Sequence, residues 1–253
     1  MEFFDTHSHY NDEKFDNDRE EIIKNTYLEG VTKFTVVGYD LNSSKQAVYI
    51  ANKYQYIYAI CGISPNDVNN INEVEEIYNI SKNNKVVAIG EIGLDYYWNK
   101  ENKDNQREFF IKQIDIANKL NKPIVIHTRE AVNDTIEILK NNEVKKTGIF
   151  HCCPLNRELI KQALKLGFMI SFAGPVTFKN SKNADEVINM VPLEKILIET
   201  DSPYLAPEPK RGTRNDSRNV KYIAEKIAKV KGLELEEVAK ITYDNALRIF
   251  EIK

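Results

Sequence analysis

PIVIHT, residues 123–128, is a short apolar run that ends at a histidine and has no regular alternation of polar residues. An apolar run of this kind is typical of a parallel strand that is covered on both faces. Seven further β-branched or apolar runs occur along the chain, and most of them also lack alternation. They are FFDTH (3–7), KFTVVG (33–38), IYAICGI (57–63), VVAIGEIG (86–93), GIFHC (148–152), FMISFA (168–173) and KILIETD (195–201).

The segments between these runs are long enough for helices that connect parallel strands. In one of them, Phe110, Ile114, Ala117 and Leu120 share one helical face. Two more helical segments, around 217–231 and 234–251, follow the last run. Eight βα units in 253 residues predict an α/β protein with a (β/α)8 TIM-type barrel, and a doubly wound open sheet is the alternative.

The composition favours one globular domain over residues 1–253. Hydrophobic residues make up 42% of the chain and charged residues 29%, and no Pro/Gly/Ser-rich linker divides it. The net charge of -3 argues against a protein that coats nucleic acid nonspecifically. The N-terminus lacks a basic leader and no apolar run reaches the roughly 18 residues of a membrane helix, so we expect a cytoplasmic protein without membrane contact.

Two of the four histidines, His7 and His9, lie two residues apart in the first run and its extension, FFDTHSHY (3–10). Side chains at i and i+2 leave a strand on the same face, so these two can chelate an ion. Four other residues of metal-binding type lie at the ends of later runs: Glu91, His127, His151 and Asp201. Each alone suits a structural role, but the carboxyl ends of parallel strands share one rim, where barrel enzymes build active sites. The set therefore indicates a metal site.

The ligand types constrain the chemistry of this site. Imidazole together with carboxylate suits Zn, Mn or Fe, and Mg where carboxylate and water dominate. Six ligands are too many for one tetrahedral ion, whereas two ions bridged by a carboxylate would use them all. Two such ions can activate a water for attack on a phosphate or acyl group. Cys61 and Ser64 also lie at a strand end, but no spare histidine remains to activate either, which disfavours a nucleophilic triad.

Five motifs, DTHSH, AIGEIGLDYY, PIVIHTREA, FHC and ETDSPYLAP, resemble the signatures of the TatD family of metal-dependent deoxyribonucleases. The resemblance covers nearly the whole chain and implies a barrel of the metallo-dependent hydrolase superfamily. It implies a first metal held by His7, His9, Glu91 and Asp201, and a second held by Glu91, His127 and His151. Glu91 would then bridge the ions, and Glu91 and Asp201 would be the catalytic residues.

The chain departs from the family pattern at three places that adjoin the site. Where the family has CGxHP, this chain has CGISP, so Ser64 replaces a histidine. Cys152, Cys153 and Pro154 follow His151 in place of Phe-Ser-Gly, and Asn215-Asp216-Ser217 stands for Asn-Glu-Pro. None of these changes removes a metal ligand, so we expect them to affect substrate contacts.

Several residues are candidates for substrate contact. The basic segment PKRGTRNDSR (209–218) follows the eighth run, at a frequent phosphate site of such barrels. From it we select Arg211 and Arg214, and we add Ser64 and also Arg129, which follows His127 closely. Tyr96, Tyr97 and Trp98 either stack on bases or pack in the core.

The hypothesis from the sequence is a hydrolase of phosphodiester bonds in DNA that uses two divalent ions, Mg, Mn or Zn. We expect DNA or another nucleic acid as the substrate and no obligate protein partner. Alternatives within the fold are an aminoacyl-tRNA deacylase and a hydrolase of small cyclic amides, esters or phosphotriesters. Several of the latter bridge their metals with a modified lysine, and this chain has Glu91 in that position, which counts against them. An alternative of another class is a non-catalytic binding module.

Overall fold

The computed structural model describes residues 1–253 and contains eight β-strands, nine α-helices and four short 3₁₀ segments. The strands are β1 (Phe3–Ser8), β2 (Val31–Val37), β3 (Ile57–Cys61), β4 (Val86–Asp95), β5 (Ile124–Arg129), β6 (Gly148–Phe150), β7 (Met169–Phe172) and β8 (Ile196–Ile198). Each predicted run thus contains a strand. The short strands β6 and β8 end before the polar residues that close their runs, so His151 and Asp201 lie in the loops that follow.

All eight strands are parallel and are paired in chain order from β1 to β8. The barrel closes between β1 and the segment after β8. There the His9 N–H donates to the Ser202 carbonyl (2.7 Å) and the Asp201 N–H donates to the His7 carbonyl (2.9 Å). This closure confirms the predicted (β/α)8 barrel and excludes the open sheet, which would leave β1 and β8 unpaired.

The helices alternate with the strands, and the last two follow β8. They are α1 (Arg19–Leu28), α2 (Leu41–Lys53), α3 (Glu73–Ile80), α4 (Lys103–Leu120), α5 (Val132–Asn141), α6 (Arg157–Lys165), α7 (Ala184–Met190), α8 (Val220–Lys231) and α9 (Leu235–Phe250). Local sequence sets several of their ends. The Asp40 carboxylate accepts from the Ser43 N–H at the start of α2 (2.6 Å), and Gly167 with φ of 87° follows α6. None of the nine helices combines the length and the apolar character of a membrane span.

Apolar side chains form two layers. A cluster of 55 buried residues is built mainly from the strands and the helices around them, and a second cluster of 11 draws on all eight strands. Helix α9 contributes Ala246 and Phe250 to the smaller cluster, and the Phe250 ring lies 5.8 Å from that of Phe4 near the start of β1. The last helix therefore covers the end of the barrel where strands begin, and leaves the opposite rim for a site.

Strand β4 is irregular where it meets that rim. Its register with β5 shifts between Ile89 and Ile92, around Glu91. Gly93 has φ of 135°, and a Cβ there would lie 2.1 Å from the His127 carbonyl oxygen. Only glycine allows this approach of β4 to β5. The irregularity thus lies at Glu91 on β4, beside His127 on β5, and bulges of this kind are common beside active sites.

Candidate metal centre

The six side chains that the sequence analysis selected as ligands meet at the carboxyl ends of the strands. His7 lies in β1, Glu91 in β4 and His127 in β5, and His9, His151 and Asp201 lie just after β1, β6 and β8. Five of them form two compact groups that share His7. The ligand atoms of His7, His9 and Asp201 lie within 4.8 Å of one another, as do those of His7, Glu91 and His151.

In the first group, His9 Nε2 lies 3.3 Å from both Asp201 Oδ1 and His7 Nε2. His7 Nε2 is 3.8 Å from the same Asp201 oxygen. Asp201 has φ of 55°, a left-handed conformation that aspartate tolerates better than most residues. Its backbone is held there by the hydrogen bond to His7, so the same contact closes the barrel and fixes this carboxylate.

In the second group, the two oxygens of Glu91 face different histidines. Glu91 Oε1 lies 2.9 Å from His127 Nδ1 and 3.1 Å from His151 Nε2. Glu91 Oε2 lies 3.5 Å from His7 Nε2. His127 therefore joins this group through Glu91. The carboxylate spans the distance between the two groups, as a bridging ligand must.

Three of the histidines have their other ring nitrogen occupied. The pairs are His9 Nδ1 with the Val37 carbonyl (3.0 Å), His127 Nε2 with Asp95 Oδ2 (2.9 Å) and His151 Nδ1 with Glu199 Oε1 (3.3 Å). Because a carbonyl only accepts, His9 Nδ1 carries a proton, and Nε2 is the nitrogen that faces His7 and Asp201. Metal-binding histidines are held by carboxylate or carbonyl partners in the same way.

This donor set fits divalent cations. Inward lone pairs and carboxylate oxygens that face one another at 3–4 Å repel unless protons or cations lie between them. Contacts with the outer nitrogens fix three of the imidazole rings, which leaves the positions between the inward-facing atoms for ions. The mixture of imidazole and carboxylate suits Zn or Mn, and Mg where water completes the shell.

Burial and charge oppose each other in this centre. Burial acts to raise the pKa of the Glu91 carboxyl, but the contacts with His151, His127 and His7 outweigh it and hold that pKa well below its usual value. Burial likewise acts to lower the pKa of His151, and the carboxylates of Glu91 and Glu199 raise it well above the usual value. The Glu91 carboxylate is therefore ionised at neutral pH, as a metal ligand must be.

Sequence reasoning missed three buried acids that support this centre. Asp95 and Glu199 bind the outer nitrogens of His127 and His151, as described above. Asp5 is fully buried and accepts from the Thr200 N–H (2.9 Å), the Thr200 hydroxyl (2.5 Å) and the His7 N–H (3.3 Å), and burial raises its pKa to about 7. All three lie two or four residues from a predicted ligand on the same strand or its extension, and that spacing could have revealed them.

The four predicted substrate contacts have different environments. The Ser64 side chain is buried, and its hydroxyl donates to Asp67 Oδ2 at 2.6 Å. Arg214 binds Asp18 with two guanidinium nitrogens at 2.5 and 2.9 Å, so its fork is already occupied. Arg211 lies over the Phe178 ring at 4.2 Å, and neither it nor Arg129 forms an ion pair with a carboxylate.

The aromatic trio after β4 divides between the two roles considered for it. Tyr96 is buried and donates to Asp134 Oδ2 at 2.7 Å. Tyr97 and Trp98 are exposed. Arg129 lies over both rings, with its central carbon 3.9 Å from the Tyr97 centroid and 5.4 Å from that of Trp98.

A cavity of about 1030 Å³ opens beside the centre on the side of His9. One of its walls is Tyr39, whose ring lies 5.9 Å from that of His9. Six carboxylates line it, and its two cations, Arg19 and Lys53, are both paired with acids. Its lining residues are therefore net negative and disfavour a phosphate there.

Known proteins are similar to this chain over most of its length. Residues 4–251 match the family model described as TatD related DNase. The chain is 44% identical over 252 residues to the uncharacterized metal-dependent hydrolase YabD of Bacillus subtilis, covering 98% of this chain and 99% of the relative. It is 45% identical over 193 residues to the uncharacterized metal-dependent hydrolase YcfH of Escherichia coli, covering 76% and 73% of the two chains.

Solved structures share the architecture. The crystal structure of YjjV, a TatD homolog of Escherichia coli, superposes with a TM-score of 0.94 at 24% identity and covers 99% of this chain and 98% of its own. A phosphotriesterase homology protein of Escherichia coli superposes with a TM-score of 0.70 at 14% identity over 98% of each chain. At these identities the likeness concerns the fold.

Proposed function

This chain belongs to the TatD-related DNase family of metal-dependent hydrolases, and on that premise we propose that it hydrolyses phosphodiester bonds of DNA with two divalent ions. One observation carries the proposal. The two oxygens of Glu91 face His7 on one side and His127 and His151 on the other. A carboxylate between two histidine groups is what a bimetal hydrolase needs and what a single-ion structural site does not.

When bound, the ions would lower the pKa of water and stabilise the charge that develops on the attacked phosphate. His7, His9, Glu91 and Asp201 would hold one ion, and Glu91, His127 and His151 the other. Asp95, Glu199 and the Val37 carbonyl would hold the outer nitrogens of the histidine rings, which fixes the inward nitrogens so that the binding geometry exists before substrate arrives.

Asp201 is the group that we assign to proton transfer. Burial acts to raise its pKa, but the hydrogen bond from His9 and the nearby His7 lower it below the usual value, so the carboxylate is ionised. Its Oδ1 contacts His9 and His7, while its Oδ2 makes no hydrogen bond with the protein. The free Oδ2 can accept the proton that water loses on attack.

The substrate is assigned from charge. Arg129 follows His127 by two residues and is free of carboxylates, and Arg211 is free as well. Both can hold phosphate oxygens. At Ser64 and Arg214, a phosphate would have to compete with Asp67 and Asp18.

The direct test is to incubate metal-reconstituted protein with end-labelled single- and double-stranded DNA, RNA and aminoacylated tRNA. We expect release of nucleotides or short fragments from DNA, dependent on Mg, Mn or Zn. Release of the amino acid from tRNA without cleavage of any nucleic-acid chain would overturn the assignment in favour of a deacylase.

Glu91→Gln tests the bridge while preserving side-chain volume. We expect it to reduce kcat/KM by more than about 100-fold, the upper end of the range for residues that only orient a ligand, and to lower bound metal measured by mass spectrometry. The control is Glu225→Gln, an exposed acid of α8 outside any ion pair. Full activity in Glu91→Gln would contradict the bimetal assignment.

A further inference from the structure

Two large aromatic side chains lie in solvent immediately after β4. Trp98 is 68% exposed and Tyr97 44%, and their rings meet edge to face at 4.8 Å. Burial of such rings would be favourable, and each of them presents aromatic surface to water. An exposed aromatic pair at the rim of an active site indicates a binding surface.

Arg129 adds a positive charge to this pair. Its guanidinium lies over the Tyr97 ring and close to the Trp98 ring, and it pairs with no carboxylate. Its charge is therefore available to an anion. We call Tyr97, Trp98 and Arg129 together the aromatic patch.

The aromatic patch is fixed to the metal centre by one carboxylate. Asp95 Oδ1 accepts from the Tyr97 N–H (2.9 Å) and the Trp98 N–H (3.0 Å), while its Oδ2 binds His127 Nε2. The Tyr96 N–H also donates to the Arg129 carbonyl (2.9 Å). The support is buried, since Asp95 is 1% exposed, so the aromatic residues stand at a defined distance from the centre.

The charges around the rim favour this side for an anionic substrate. Six carboxylates line the cavity beside His9, and although Asp16, Asp18 and Glu20 are paired with cations, the lining keeps a net negative charge. The aromatic patch lies beside His127, just after β4 and at the end of β5, and its Arg129 is a cation without a carboxylate partner. A polyanion is therefore repelled on the His9 side and attracted on the His127 side.

We propose that the aromatic patch binds an unpaired nucleobase next to the bond that is cleaved, with the base stacked on Trp98 and Arg129 on a neighbouring phosphate. This deepens the proposed function and rests on it. A base within a duplex is stacked on both faces, so the base that the aromatic patch takes must have at least one free face. Stacking does not read base edges, so recognition is tolerant of sequence.

Trp98 is the only tryptophan of the chain, so its fluorescence reports on the aromatic patch directly. The probe is a short single-stranded DNA with non-hydrolysable linkages, titrated into the metal-loaded protein. We expect saturable quenching with this oligonucleotide and none with an abasic oligonucleotide that carries the same phosphates. Equal responses to both, or no response to either, would overturn the proposal.

Trp98→Ala tests the same contact by kinetics. We expect KM for single-stranded DNA to rise about 5- to 150-fold, the measured range for loss of one stacked base, with kcat nearly unchanged. Trp98→Phe keeps an aromatic face and should recover most of the loss. The control is Tyr27→Ala, a 42% exposed aromatic at the end of α1. No change of KM in Trp98→Ala, or an equal rise in Trp98→Phe, would overturn the stacking role.

The two readouts separate this proposal from the proposed function. Quenching that needs bases, in a protein that cleaves no nucleic acid, would support the aromatic patch and overturn the nuclease assignment. Cleavage of DNA without quenching, and with unchanged KM in Trp98→Ala, would support the nuclease assignment and overturn the role of the aromatic patch.

Discussion

Asp95 links the metal centre to the aromatic patch through its two oxygens. In Asp95→Asn, the amide oxygen can still accept from Tyr97 and Trp98, but the amide nitrogen cannot accept from His127 Nε2. His127 would then favour the tautomer with a proton on Nδ1, which removes the lone pair that faces Glu91. We expect metal affinity and kcat/KM to fall about 10- to 100-fold.

Isothermal titration with Mn²⁺ and steady-state kinetics would measure this effect. The control is Glu130→Gln, an exposed acid on the same rim that forms no ion pair. Retention of wild-type affinity in Asp95→Asn would show that Asp95 does not set the tautomer of His127.

Arg211 and Arg214 lie in one loop but have different partners. Arg211 is unpaired, so Arg211→Ala should flatten the slope of log K against log salt by about 0.7–0.9 for single- or double-stranded DNA. Arg214 is paired with Asp18, so Arg214→Ala should leave the slope unchanged and lower stability by about 1 kcal/mol, since the pair is one-third exposed. Binding measured across a salt series, with urea unfolding, checks both. A flatter slope in Arg214→Ala would instead support its phosphate contact.

At the scale of elements, Asp134 joins α5 to α4 and to the segment after β4. Its carboxylate accepts from the Tyr96 hydroxyl (2.7 Å) and binds Arg107 (2.9 Å). The hydrogen bond from Tyr96 lowers its pKa, burial opposes this, and Arg107 adds to the lowering, so the folded pKa lies below 3.8. A depressed folded pKa contributes stability above the unfolded value that is lost as pH falls through the folded value.

We therefore expect Asp134→Asn to cost about 1 kcal/mol at pH 7, after allowance for exposure, and progressively less as pH falls below about 4. Urea unfolding of both proteins at pH 7 and between pH 5 and 3 gives the difference, in which the titration of other groups cancels. Asp115→Asn, an exposed acid of α4 without a partner, is the control. A difference that stays constant with pH would refute the assignment.

At the scale of the whole molecule, the metal centre joins β1, β4, β5 and the loops after β6 and β8. Ions that bind only the folded chain stabilise it by about 2.7 kcal/mol at a concentration 100 times Kd. For a chain of this size we expect a chelator to lower Tm by about 5–10 °C relative to the protein at that ion concentration. Calorimetry with EDTA and with added Mn, Zn or Mg measures this. Glu91→Gln should show a smaller response, and an identical Tm with and without chelator in the wild type would exclude tight binding.

The eight parallel strands and the convergence of the candidate ligands at one rim follow from the sequence, whereas the closure of the sheet into a barrel was decided by the structure. Eight apolar runs joined by helical segments can pair in parallel only with all carboxyl ends on one rim, so residues at the ends of runs had to meet there. His7, His9 and Glu91 could be selected because a strand has a period of two residues and because parallel strands share a direction. These regularities are local and do not depend on the choice of side-chain rotamers.

Only the tertiary structure decided which atoms face inward and which charges are already paired. Asp95 and Glu199 bind the outer nitrogens of His127 and His151 from other strands or their extensions, and Arg214 pairs with Asp18, which lies 196 residues away in the sequence. Tyr96 and Trp98 are two residues apart, yet one is buried against Asp134 and the other lies in solvent. Tautomers, ion pairs and exposure depend on neighbours contributed by other elements, and the local sequence does not specify those neighbours.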